Sequence, residues 1–238
     1  MNVTKLLKVY SIIPANLILR AKIENEIIYE ETKNINIRAA DEMIWSASKP
    51  YDLAFFIAFW VTPKDPAVEQ ILSIAKEKLP DRSLHGYQRG NPEDVMRQVE
   101  AIFYAVRDIG ISYVSSTVDF GRIGFSQRVR LPRESVKQKA ANCIDGAVLF
   151  ASLFENIGLE PVIMLLPGHA IVGVKGAPGS GRAIFIETTL IGRPEFTFND
   201  AVEAGGARFD ACRGSKEVIS IKKARKEGLY PLWSASSE

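Results

Sequence analysis

The stretch ANCIDGAVLFASLFENIGLEPVIMLLPGHAIVGV, Ala141 to Val174, followed after a glycine-rich turn by RAIFIETT, Arg182 to Thr189, carries a cysteine, a histidine and a carboxylate in that order. Asn142 reads as an N-cap and Asp145, three residues on, as the acid of a capping box, so Cys143 falls at the first position of a helix. Unpaired amides and the positive end of the helix dipole favour an anion there, and the thiolate is the nucleophilic form of cysteine. Ile144, Ala147, Val148, Ala151 and Phe154 recur at helical spacing, with Gly158 as the stop and Pro161 beyond it. A helix of about 15 residues descends roughly 22 Å, and an extended run Val162 to Leu166 climbs back about 20 Å. His169 thereby returns to the level at which the helix began. Ile171–Val174 and Arg182–Thr188 read as an antiparallel pair around the turn GAPGSG, with His169 and Glu187 symmetric about Pro178 and hence on one face. A slip of one residue would present Thr188 instead.

Cys143 opening a helix rich in Ala, Leu and Phe that ends in NIGLEP, His169 within PGHA, and Glu187 followed by two threonines together resemble the transglutaminase-like superfamily of the papain-like fold. The segments Gln127–Pro132 (QRVRLP) and Thr62–Val68 (TPKDPAV) also look like parts of prokaryotic members. Three features depart from the family pattern: Glu187 stands where Asp is usual, Ile171 where Trp is frequent two residues past the histidine, and no Trp lies shortly before Cys143. The resemblance implies an α+β fold in which N-terminal helices and the cysteine helix pack on an antiparallel sheet. It also implies a Cys143–His169–Glu187 triad without a cofactor. Members of the superfamily include transglutaminases, peptidases and amidases, so likeness of fold leaves the reaction open.

The rest of the chain sets bounds. Lys and Arg total 30 against 28 for Asp and Glu, a net charge of +2 that gives no reason to expect a nucleic-acid partner. Two cysteines, Cys143 and Cys212, make no disulfide framework, and His85 and His169 fill no common zinc pattern, so the expectation is a cytoplasmic protein with no metal. The apolar run near the N-terminus is broken by Lys8, Pro14 and Asn16, which argues against a membrane span. Residues 1–61 read as β: Leu17, Leu19, Ala21 and Ile23 alternate with other positions, Ile27 with Tyr29 and Ile35 with Ile37 repeat the period of two, and AFFIAFWV looks like a short buried strand. The expected division is a β-sandwich-like module over 1–61 and a catalytic domain over 62–238, with the boundary at TPKDP. Beyond it, Asp65-Pro66 and Asn91-Pro92 begin two helices. A further helix start is expected at Asn199, with a break at Gly205-Gly206.

The chemistry that suits these residues is attack by Cys143 on a carbonyl carbon, with His169 taking the thiol proton and Glu187 holding the imidazole. The Cys143 amide and a side-chain amide, either Gln138 or Gln127, would stabilise the oxyanion. A protein or peptide substrate follows, with water or an amine resolving the thioester. Each residue also has a plainer reading: a helical cysteine is often a small core residue, a lone histidine a satisfied structural one, and a carboxylate at a strand end solvated. The competing function is therefore a peptide- or protein-binding module without turnover.

Overall fold

The computed structural model describes residues 8–115, 122–212 and 216–232. The chain divides into two compact units, Met1–Glu42 and Met43–Glu238.

In the first unit, β1 (Ile13–Ile23) and β2 (Glu26–Ile37) form an antiparallel ribbon. Glu24 and Asn25 connect them with positive φ at both residues, 48° and 74°, the signature of a two-residue type I′ hairpin turn. The register pairs Ile13 with Ile37, Ala15 with Ile35, Leu17 with Lys33, Leu19 with Glu31 and Ala21 with Tyr29, so the period-two pattern puts much of the ribbon's apolar surface on one face, beside Lys33 and Glu31, while Ile18 stands on the other. The expected sandwich is not formed. Among the described residues this unit holds one two-stranded sheet, and Leu17, Leu19, Tyr29 and Ile35 stand exposed.

In the second unit, residues that the sequence assigned to the β-module lie in the main core. Trp45, Ile57 and Ala58 are fully buried in the same cluster as the cysteine helix. The run AFFIAFWV is not a strand: Ala54–Phe59 is a 3₁₀ helix that buries Ala54, Ile57 and Ala58. A continuous apolar run has no period by which helix and strand can be told apart, and the buried set falls at three- and four-residue spacing. The end of this segment is tied down by hydrogen bonds from Arg225 to the carbonyls of Ala58 (2.9 Å) and Val61 (2.7 Å) and from the Thr62 amide to Ser152 Oγ (2.9 Å). The structural division therefore falls nineteen residues before TPKDP.

Two helices follow, α1 (Pro66–Glu77) and α2 (Pro92–Asp108), each with Pro in its first turn and an Asx cap: Asp65 accepts from the Ala67 amide and Asn91 from the Glu93 amide. A short helix α3 (Pro132–Gln138) leads into α4 (Cys143–Asn156), which is buried along nearly its whole length. Gly158, with φ +80°, ends it in a conformation that a side chain would oppose. The sheet comprises β3 (Pro161–Leu166), β4 (His169–Lys175), β5 (Ala183–Ile186) and β6 (Glu217–Ser220) in the order β6-β3-β4-β5, all antiparallel. The helix α4 packs on the middle of this sheet, over β4. The fold of this unit is thus mixed α+β on an antiparallel sheet. Helix α5 (Phe198–Ala211), capped by Thr197, covers β5, and α6 (Ile221–Lys226) closes the described chain.

The expected break at Gly205-Gly206 is absent, since α5 runs through both. The reason is close packing: a Cβ on Gly205 would stand 2.5 Å from the carbonyl carbon and oxygen of Phe185, so the glycine lets the helix lie against the backbone of β5.

Candidate active site

Cys143 occupies the first position of α4, and the capping box expected from the sequence is present. Asn142 Oδ1 accepts from the Asp145 amide at 2.9 Å, and Asp145 Oδ2 accepts from the Asn142 amide at 3.1 Å. Asp145 does more than cap. Fully buried, it also accepts from the Arg130 amide (2.8 Å) and from Arg130 Nη1 (2.7 Å), which fastens the segment before α3 to the turn that carries the cysteine. At the next residue Gly146 leaves no room for a side chain, because a Cβ there would meet Thr188 Oγ1 at 2.6 Å. The start of the cysteine helix and the chain after β5 are therefore in direct contact.

His169 opens β4, and Glu187 follows β5 as the N-cap of the 3₁₀ turn Thr188–Leu190. His169 Nε2 and Glu187 Oε2 are 2.7 Å apart. The strand register differs from the expected one. Val172 faces Ile186 and Val174 faces Ile184, so the pair is centred on Gly179 rather than Pro178. This slip is of two residues in the partner strand, and an even slip keeps every side chain on its face. That is why Glu187 still meets the imidazole. Thr188, the alternative under a slip of one, is turned inward against Gly146, its hydroxyl buried with no hydrogen-bond partner.

Glu187 is held on several sides. Its Oε1 accepts from the Thr189 amide (3.2 Å) and hydroxyl (2.7 Å), its own amide donates to the Ala201 carbonyl (2.9 Å), and Arg208 Nε lies 3.5 Å from Oε2. Burial alone would raise its pKa, but hydrogen bonds from His169 and Thr189 outweigh that and hold it below the usual range. For His169, burial works toward a lower pKa. Hydrogen bonds to Cys143 and Glu187, with the negative charge each presents, overcome it and push the imidazole up to about 9. Since Nε2 is engaged by Glu187, Nδ1 is the ring nitrogen left for the Cys143 sulfur.

The cysteine itself is enclosed, with 1% of its surface exposed, whereas Cys212 is partly exposed. The two candidate oxyanion donors differ sharply. Gln138 is exposed, and its Oε1 accepts from Arg130 Nε at 2.9 Å, which makes it a brace for the Arg130–Asp145 anchor. Gln127, in the strand Ser126–Arg128, is buried, and neither its Nε2 nor its Oε1 has a hydrogen-bond partner. A buried amide with both ends unsatisfied is costly and therefore calls for an explanation.

One residue of the site had no signal in the sequence. Ser112–Tyr113 pairs in parallel with Ala140–Ala141, immediately before Asn142, and the Val114 amide donates to the Ala141 carbonyl at 3.0 Å. Tyr113 lines the same cleft as His169, and burial, with Cys143 and Glu187 nearby, raises its phenol above its ordinary pKa. Two-residue strands carry too little periodicity to be read from residues alone. Elsewhere, His85 is bonded to Asp81 at 2.9 Å, away from this site. Among the described residues no three His, Cys, Asp or Glu side chains are grouped to hold a metal ion, and no helix is long and apolar enough to cross a membrane. No family model, no curated protein and no solved structure matches the chain.

Proposed function

We propose that this chain is a cysteine-dependent acyltransferase or hydrolase of the transglutaminase-like kind, acting on amide bonds of a protein or peptide. The observation that carries the reading is the His169 imidazole bonded to a buried carboxylate at 2.7 Å, with Cys143, at the start of α4, among the groups that raise its pKa. In this reading the thiol proton already rests on His169, and the sulfur attacks the carbonyl carbon as the thiolate of that ion pair. The developing oxyanion is met by the Cys143 amide, which has no carbonyl of its own helix to bond, and by Gln127 Nε2. Collapse of the tetrahedral adduct breaks the C–N bond, and His169 protonates the leaving amine. A thioester on Cys143 remains, which water or a second amine resolves while its proton returns through His169. Glu187 keeps the ring oriented throughout.

A second reading is favoured by the enclosure of Cys143, which at 1% exposure sits as a packed core thiol would. In that case the fold is a peptide- or protein-binding module. Iodoacetamide labelling followed by peptide mapping separates the two, with the partly exposed Cys212 as an access control. The enzyme reading expects Cys143 to be alkylated in the folded protein, more slowly in His169→Ala, and expects Cys143→Ser to abolish turnover of a peptide-library substrate without unfolding. Alkylation of Cys143 only after denaturant is added would establish the binding module instead.

A further inference from the structure

A cleft of about 480 Å³ opens beside His169, between the strand Ser112–Tyr113, the turn after Glu187 and helix α5. Among the described residues its ionisable lining consists of Tyr113, His169, Arg193 and Arg208, without a carboxylate. Glu187 lies behind the imidazole with its side chain only 4% exposed, and its oxygens are engaged by His169 and Thr189. Arg208 Nε approaches Glu187 at 3.5 Å, while 59% of the Arg208 side chain stays exposed. Arg193 is paired with Glu195 at 2.9 Å, but both side chains are 55% exposed and Glu195 is outside the cleft lining. Exposed pairs of this kind are weak and exchange readily for a ligand's carboxylate. The cleft thus presents two guanidinium groups, whose planar donor forks match a carboxylate better than any other side chain does.

The direction of the reaction says which part of a substrate would enter. His169 protonates the departing nitrogen, so the group attached to that nitrogen lies on the imidazole's side of the sulfur, where the cleft is. Resting on the acyl-transfer reading above, we infer that the cleft beside His169 selects substrates whose leaving amine bears a carboxylate, held by Arg193 and Arg208. That carboxylate belongs either to an Asp or Glu side chain following the scissile bond or to the free C-terminus of a one-residue leaving group.

The test uses binding and turnover separately. Full-length Cys143→Ala is titrated by fluorescence anisotropy with four labelled peptides: an internal Glu with an amidated end, its Gln counterpart, a neutral residue ending in a free acid, and the same residue amidated. At least one acid should bind about tenfold more tightly than its amide, as a charge-assisted hydrogen bond would give, and Arg193→Gln or Arg208→Gln should reduce that ratio toward one. The pair showing the preference identifies which carboxylate is read. Equal binding of acid and amide in both pairs, or a preference untouched by both arginine substitutions, overturns the inference. Turnover of the same peptides by the wild-type chain then locates the failure. Cleavage without acid preference removes the carboxylate site and leaves acyl transfer standing, whereas a preference that depends on the arginines without any cleavage keeps the site and removes acyl transfer.

Discussion

At the residue scale the behaviour of the site turns on where one proton sits. With the imidazole pushed up to about 9, His169 stays protonated through neutral pH between Glu187 and the sulfur. The chain has two histidines, so the ring signals of His169 can be followed by NMR with His85 as an internal comparison. The wild-type midpoint should fall near 9, and Glu187→Gln should lower it, because a neutral amide neither attracts nor accepts as strongly from the cation. A wild-type midpoint at the ordinary value of 6.5 would mean that the pair is not formed. The same shifts set a stability window. Since the folded pKa of His169 is raised, its contribution is complete below about 6.5 and is lost as pH rises through about 9. The Glu187 pKa is depressed, so its share is present above about 4.5 and lost as pH falls further. The melting-temperature gap between wild type and Glu187→Gln should therefore be widest near pH 5–6.5. Gln127 gives an opposed pair of effects. Its buried amide is unsatisfied, so Gln127→Leu should leave stability unchanged or slightly raised. If the amide serves the oxyanion, kcat should fall on the order of 10²-fold, and Gln138→Ala should fall far less. A Gln127→Leu protein that unfolds easily and turns over normally would reverse that assignment.

At the scale of elements, the cysteine helix was legible in the residues because everything that defines it is local: an Asx cap, a capping acid and a stripe that ends at a glycine. The turn between β4 and β5 was not, since GAPGSG can centre on Pro178 or Gly179, and register is set by packing beyond the loop. What the sequence fixes more firmly than register is parity, and parity was enough to bring His169 and Glu187 together. The glycines of α5 show the opposite case. Read locally, Gly205-Gly206 breaks a helix; in the fold, Gly205 is required by contact and Gly206 has open space around it. Two substitutions separate these roles. Gly206→Ala should stabilise the protein by about 0.5–1 kcal/mol through helix propensity and a less free unfolded chain. Gly205→Ala should destabilise it by about 1–3 kcal/mol, because its methyl group would collide with the Phe185 backbone. It should also reduce activity, since the Glu187 amide hangs from the Ala201 carbonyl on the same helix. Matching melting temperatures for the two variants would refute the close-contact account.

At the scale of the whole molecule, the boundary expected at TPKDP and the one observed after Glu42 differ for a physical reason. Pro63 and Pro66 punctuate the chain locally, but a unit is delimited by where its apolar side chains are buried, and Trp45, Ile57 and Val61 are buried with α4 rather than with the ribbon. The ribbon's alternation was readable from its residues, yet alternation says only that one face is apolar, not that a second sheet covers it. Its strands are long, 11 and 12 residues, and nearly every position is exposed. An isolated two-stranded hairpin is at best marginally stable in water, because ladder hydrogen bonds open to solvent gain little without a packed face. The second unit has the reverse character, with β3 buried throughout and α4 buried from Cys143 to Phe154. Amide hydrogen exchange of the full chain should therefore be bimodal along the sequence. Amides of Ile13–Ile37 should exchange through local opening costing roughly 0–2 kcal/mol, while those of α4, β3 and β4 should wait for global unfolding at about 5–15 kcal/mol. Adding denaturant should accelerate the core amides steeply and leave the ribbon rates nearly flat, since local opening exposes little new surface. If the ribbon amides instead proved as protected as those of β4 and shared their denaturant slope, its apolar face would have to be covered in solution, and the two units would unfold as one.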